Sequence, residues 1–122
     1  MPPRLLIVDD SRVSRVMIRA RVQAAHPDWL VDEAASGDEA LIKVEQLAPN
    51  YVTMDVNMPG LNGFDAADQL HKIAPNTRIV MLTANIQESS RTRAESIGLS
   101  FVQKPITDAS MLQVFAHLTA QT

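Results

Sequence analysis

Apolar positions along the chain come in two alternating textures. Short unbroken runs occupy residues 5–8, 51–54 and 79–82, with weaker ones at 30–34 and 101–102. Runs of this kind, rich in branched side chains and lacking polar alternation, predict strands covered on both faces. Between them apolar residues return every three or four positions. Val13, Val16, Met17, Ala20 and Ala24 make one stripe, and Leu41, Val44, Leu47 and Ala48 a second. Ala66, Leu70, Ile73 and Ala74 make a third, and Met111, Leu112, Phe115 and Leu118 close the series. Such spacing predicts helices that turn one apolar face to a core. Residues 86–97 read as a further helix, fourth in order, with the thinnest apolar stripe. A helix held by few core contacts moves cheaply, and the same polarity equally suits a well-solvated face.

The punctuation agrees. Ser36-Gly37-Asp38-Glu39 predicts a capping box, Ser36 receiving the Glu39 amide and Glu39 bonding back. Asn62 and Thr107 are expected N-caps. Prolines at His26-Pro27, Ala48-Pro49 and Ala74-Pro75 stop three helices, and Gly98 ends the fourth. Leu47-Ala48-Pro49-Asn50 and Ile73-Ala74-Pro75-Asn76 read as equivalent helix-to-strand turns. Five strand–helix units imply an α/β fold: a doubly wound parallel sheet of five strands, right-handed crossovers and five helices on its two faces. In such sheets ligands gather outside the carboxyl ends of the strands, where strand order reverses.

Composition narrows the class. At 122 residues, with 46% hydrophobic and 20% charged positions, residues 1–122 are expected to form one globular domain. Eleven Lys and Arg against 14 Asp and Glu give a net charge of −3, which provides no basic face for nucleic acid or an anionic membrane. No cysteine is present, which removes disulfides, thiolate metal sites and cysteine nucleophiles. No apolar run approaches the ~18 residues of a membrane span, and Asp9-Asp10 interrupts any signal-peptide core. A soluble, cytoplasmic domain is expected.

The polar residues that end the strands carry the chemistry. Asp9-Asp10 follows the first, Asp55 the third, Thr83-Ala84 the fourth and Lys104-Pro105 the fifth. Singly, each is an ordinary loop residue. On one rim, three carboxylates repel one another unless a cation sits among them. Oxygen donors without Cys or nearby His suit Mg²⁺ or Mn²⁺. A lysine able to neutralise an oxyanion and a threonine hydroxyl able to bond one make this a phosphoryl-transfer constellation. A carboxylate beside the metal is a competent acceptor, giving an aspartyl phosphate.

With these motifs in order, the chain resembles the response-regulator receiver domains of two-component signalling, the CheY-like family. The matching segments are Leu5-Leu6-Ile7-Val8-Asp9-Asp10-Ser11, then Met54-Asp55-Val56-Asn57-Met58-Pro59-Gly60-Leu61-Asn62-Gly63, then Met81-Leu82-Thr83-Ala84 and Gln103-Lys104-Pro105. They cover essentially the whole chain. The resemblance implies strand order 2-1-3-4-5 and Asp55 as phosphoacceptor. It implies that Asp10 and Asp55 ligate Mg²⁺ with the backbone carbonyl of Asn57, and that Asp9 acts through a metal-bound water. Thr83 and Lys104 would contact the phosphoryl group, Ala84 would keep the approach open, and the Lys104–Pro105 bond would be cis. Pro59, Gly60 and Gly63 would serve the loop and helix entry after Asp55. Asn57 and Asn85 would tune phosphoryl lifetime; Asn85 equally suits the N-cap of the fourth helix. Phe101 stands where the family swaps an aromatic rotamer. Lacking the hydroxyl of a tyrosine, it would couple by packing, or serve simply as a strand side chain.

By the same resemblance the donor is a sensor histidine kinase, a phosphotransfer protein or a small phosphodonor. Phosphorylation would reshape the surface of the fourth helix, fifth strand and fifth helix to control a downstream protein or an output domain. No output domain is visible, so a free-standing regulator and a receiver cut from a longer protein both remain open. The chain would catalyse its own phosphorylation and dephosphorylation without being an enzyme in the turnover sense. A phosphorylation-independent adaptor is the alternative, opposed by the intact Asp9, Asp10, Asp55, Thr83 and Lys104 set. A flavodoxin-like FMN binder would need a Ser/Thr/Gly-rich anion loop where Asp9-Asp10 stands. A haloacid-dehalogenase-type phosphatase would need Asp-x-Asp there. His26, His71 and His117 read as surface residues, and His26-Pro27-Asp28-Trp29 as a helix stop with Trp29 covering a loop. Arg12, Arg15, Arg19 and Arg21 make the first helix basic, as a solvated face or as a face for a partner kinase.

Overall fold

A computed structural model describes residues 2–56, 58, 60, 62–84, 92 and 99–120. Asn57, Pro59, Asn85, Gly98 and most of the expected fourth helix, 86–97, lie outside the described residues. The elements in order are β1 (Arg4–Val8), α1 (Arg12–Ala25), β2 (Leu30–Ala34), α2 (Gly37–Leu47), β3 (Tyr51–Asp55), α3 (Gly63–Ile73), β4 (Arg78–Thr83), β5 (Ser100–Gln103) and α4 (Asp108–Thr119). The five strands form one parallel sheet in the order β2-β1-β3-β4-β5. Strand order reverses between β1 and β3, so the residues after Val8 and those at the end of β3 share the switch point.

Strand alternation divides the apolar residues between two cores. Leu6 and Val8 of β1 enter one with Val52, Met54, Val44 and Leu70, under α2 and α3. Leu5 and Ile7 enter the other with Ile18, Val22, Met111 and Leu118, under α1 and α4. At the base of the second core Trp29 stacks on His26 with ring centroids 3.9 Å apart and touches Tyr51 at 4.9 Å. His26 is therefore half-buried rather than a surface residue, whereas His71 and His117 are exposed as expected.

Several expectations need correction. The stripe assigned to α1 is its outer face: Val13, Val16 and Met17 are 69%, 56% and 36% exposed, and Ala20 and Ala24 are exposed too. Ile18 and Val22, one turn apart, are the residues that dock. Arg15 and Arg19, between and beside them, are drawn to Glu33 on β2, which fixes the roll of the helix. In α4, Val114 takes the core place expected of Leu112, which is exposed.

The Ser36 cap forms as expected, accepting the Glu39 amide at 3.1 Å, but Glu39 reaches back to the amide of Ala35 rather than that of Ser36. Asn62 and Thr107 cap α3 and α4. The two Ala-Pro-Asn turns are not equivalent. Ala48 is left-handed, φ 47°, while Ala74 has φ −139°. Asn50 leads straight into β3, whereas Thr77 intervenes before β4; the shorter connection needs the tighter reversal.

Candidate functional site

The strand ends bring the expected residues to one crevice. Asp9, Asp55 and Thr83 are buried, while Asp10 and Ala84 are exposed. Asp9, Asp10 and Asp55 each place a carboxylate oxygen within 4.8 Å of the other two. Lys104 enters the same space, its Nζ 2.9 Å from Asp9 Oδ2 and 3.5 Å from Asp55 Oδ1. Burial pulls the Lys104 ammonium toward deprotonation. Its hydrogen bond and charge attraction to Asp9, aided by Asp55, outweigh that and hold its pKa above the usual lysine value.

Each side chain is placed by local chemistry. The Lys104 N–H donates to the Thr83 carbonyl at 2.7 Å, extending the β4–β5 ladder to the rim. The Lys104–Pro105 bond is cis. Phe101 is half-buried and stacks on Phe64 of α3 with centroids 6.2 Å apart, so it faces the first core. After β3, the Val56 N–H bonds Leu82 and the Gly63 N–H bonds Val56. Gly60 has φ +76°, the left-handed region glycine favours. Gly63 answers a different need: a Cβ there would lie 2.2 Å from the Asp55 carbonyl oxygen.

Asp9 is held at four points. Its N–H donates to the Ala34 carbonyl at 3.1 Å, and its Oδ1 accepts the Ser11 N–H at 2.8 Å. Its Oδ2 accepts from Lys104, and its carbonyl accepts from Arg15 Nη1 at 2.7 Å. Arg15 Nε also donates to Glu33 Oε1 at 3.0 Å, and Arg19 Nε to Glu33 Oε2 at 2.7 Å. Burial alone would raise the Glu33 carboxyl; the Arg19 and Arg15 hydrogen bonds and charges prevail and lower it. The sequence pattern does not single out these two: Arg15 is one of four arginines on a basic helix, and Glu33 lies in the weak run 30–34. Their contact follows from the face α1 turns to β2, which strand order alone does not give.

Three carboxylates against one ammonium leave a formal charge of −2 in a crevice lined by oxygen donors. That donor set fits a hard divalent cation.

Compared with known proteins, residues 5–116 match the sequence model of the response regulator receiver domain. The chain belongs to the response-regulator receiver family. This receiver is 35% identical to the chemotaxis protein CheY of Thermotoga maritima over 114 residues, 93% of this chain and 94% of that protein. It is 39% identical over 112 residues to a protein-glutamate methylesterase/protein-glutamine glutaminase of Anaeromyxobacter dehalogenans, covering 90% of this chain but 32% of that protein. Among solved structures, the chemotaxis protein CheY4 of Vibrio cholerae superposes with a TM-score of 0.87 at 27% identity, over 97% of this chain and 99% of that one. Receivers are signalling modules, and this one carries an acidic cluster suited to a metal. Among its described residues no helix is long and apolar enough to cross a membrane.

Proposed function

We propose that this receiver, as one domain over 1–122, accepts a phosphoryl group on Asp55 in a Mg²⁺-dependent reaction and thereby switches a partner-binding surface in the cytoplasm. One observation carries the assignment: the Asp9-Asp10 pair, Asp55 and Lys104, from three distant stretches of sequence, meet in a single crevice at the strand-order reversal. An Asp55 oxygen forms the new bond to phosphorus. The bond from phosphorus to the donor's leaving atom, the imidazole nitrogen of a phosphohistidine, breaks, and its electron pair departs with that atom. The chemistry a bound Mg²⁺ (or Mn²⁺) would supply is neutralisation of charge on the phosphoryl oxygens and the acids. Asp10 and Asp55 would hold the cation, with Asp9 acting through a water; the Asn57 carbonyl expected to join them lies outside the described residues. Lys104 faces the developing charge on the phosphoryl oxygens. The Thr83 hydroxyl bonds one of them, and the small Ala84 side chain leaves the approach clear. Water attack on phosphorus later restores the carboxylate, at a rate tuned by positions 57 and 85.

Movement of Thr83 toward the phosphoryl group would be passed to β5, where Phe101 packs on Phe64, and to the surface of the 86–97 segment, β5 and α4. The exposed strip of Val13, Val16 and Met17 supports a helical phosphodonor, a histidine kinase or phosphotransfer protein. Met17 and Ser14 line a hollow of about 480 Å³ with Lys104, Pro105 and Ile106, so the strip leads to the crevice. The receiving end of the signal is a downstream protein or an output domain. Intact-mass spectrometry after treatment with acetyl phosphate and Mg²⁺ tests this. Wild type gains one phosphoryl mass and Asp55→Ala gains none; equal labelling of both would remove Asp55 from the reaction. An Asp55→Asn protein with full signalling activity would instead favour a phosphorylation-independent adaptor.

A further inference from the structure

We propose that Arg15, anchored by Glu33, is a positioning residue of the metal-binding crevice: it pins the Asp9–Asp10 peptide and so keeps the Asp10 carboxylate facing Asp9 and Asp55. This rests on the Mg²⁺ reading above. The three carboxylates stand within 4.8 Å and repel one another. Asp9 and Asp55 are buried in the sheet ends, but Asp10 is exposed and begins a loop. Repulsion would therefore be relieved most easily at Asp10, either by its own side-chain torsions or by rotation of the peptide that joins it to Asp9, and only the second carries its Cα and Cβ away from the crevice.

Arg15 opposes that rotation. Its Nη1 donates to the Asp9 carbonyl, the oxygen of that same peptide, at 2.7 Å. The guanidinium is a rigid fork, and its Nε is fixed on Glu33 Oε1 at 3.0 Å. Arg19 holds the other Glu33 oxygen at 2.7 Å, and Lys43 donates to the Glu33 carbonyl. The Arg15 side chain is only 15% exposed, so water competes little for these bonds. A chain of contacts thus runs from α2 through the β2 edge and α1 to the peptide that presents Asp10.

Charge and position predict opposite signs, which makes the test decisive. Removing a cation beside three acids favours Mg²⁺ on electrostatic grounds; removing a pin disfavours it. Outer-shell partners of metal ligands are generally worth about 10- to 100-fold in affinity. The Mg²⁺ dissociation constant is measured by calorimetry, with a thermal melt of each metal-free protein alongside. Arg15→Gln is expected to weaken Mg²⁺ about tenfold or more. Arg15→Lys keeps the charge but cannot span both partners, and is expected to weaken it less, in the same direction. Arg4→Gln deletes an equal charge from the Arg4–Asp32 pair, 2.9 Å long at the far end of β1, and leaves the constant unchanged. Unchanged or tighter binding by Arg15→Gln, with wild type binding normally, overturns the inference and leaves the metal reading intact. Should Arg15→Gln not fold, unchanged binding by Arg15→Lys overturns it. Wild type that does not bind Mg²⁺ overturns both.

Discussion

Replacing Gly63 with alanine would strike Asp55, the proposed phosphoacceptor, from behind. The added Cβ would stand 2.2 Å from the Asp55 carbonyl oxygen and 2.8 Å from Val56 Cα, both backbone atoms with no rotamer to yield. Restoring an ordinary carbon–oxygen contact of about 3.3 Å requires the first turn of α3 to retreat roughly 1 Å from the end of β3. That retreat lengthens the 3.1 Å bond from the Gly63 N–H to the Val56 carbonyl. Overpacking of this order costs about 1–3 kcal/mol. For a chain of 122 residues it corresponds to a melting temperature lower by about 4–12 °C.

Gly60→Ala supplies the contrast. Among the described residues nothing lies within 4 Å of a Cβ there, so the resistance comes from the positive φ of +76°, at about 1–2 kcal/mol. Asparagine, which tolerates that conformation, should recover most of the loss at position 60. Serine should recover none at position 63. Calorimetric melts of the four variants, with acetyl-phosphate labelling rates, check both. Because the clash bears on Asp55 itself, Gly63→Ala should also slow labelling. A Gly63→Ala protein that melts and labels like wild type would refute the steric reasoning.

Thr53 is fully buried and, among the described residues, its Oγ1 meets no hydrogen-bond partner. Thr53→Val keeps the shape and removes the stranded hydroxyl, so it should stabilise the fold by about 1 kcal/mol in urea titration; a loss of stability would point to a bond the hydroxyl makes. Stability should also vary with pH at both ends. The raised Lys104 group contributes fully below its ordinary 10.5 and loses that contribution as pH climbs through its higher folded value. The lowered Glu33 group contributes above 4.5 and loses that contribution as pH falls through its lower folded value. Urea midpoints across pH should show Lys104→Met flattening the alkaline limb and Glu33→Gln the acid limb, and unchanged limbs would contradict these assignments.

The strands and their polar ends were legible because β1, β3 and β4 are buried on both faces, leaving runs whose one polar member before Asp9, Asp55 and Thr83 is the β-branched Thr53. Their order came from resemblance, since local pattern does not say which strands pair. Arg15 and Glu33 stayed hidden even with β2 placed beside β1, because their meeting depends on the roll of α1 over the β2 edge. Helix α1 was misread for another reason. Five small or medium apolar residues on its outer face outnumber Ile18 and Val22, and periodicity counts residues without knowing which face an ion pair turns inward. The Glu39 contact moved by one residue, from Ser36 to Ala35, because a flexible carboxylate chooses between adjacent amides.

The central claim is that a divalent cation offsets the acids around Asp55 so that this carboxylate can take a phosphoryl group. Its most direct test is the rate of Asp55 labelling by acetyl phosphate across a Mg²⁺ titration, with the modified residue located by peptide mass spectrometry. The rate is expected to rise with Mg²⁺ to saturation and to be abolished by EDTA, with the label on Asp55. Labelling that ignores Mg²⁺, or that falls on another residue, would contradict it.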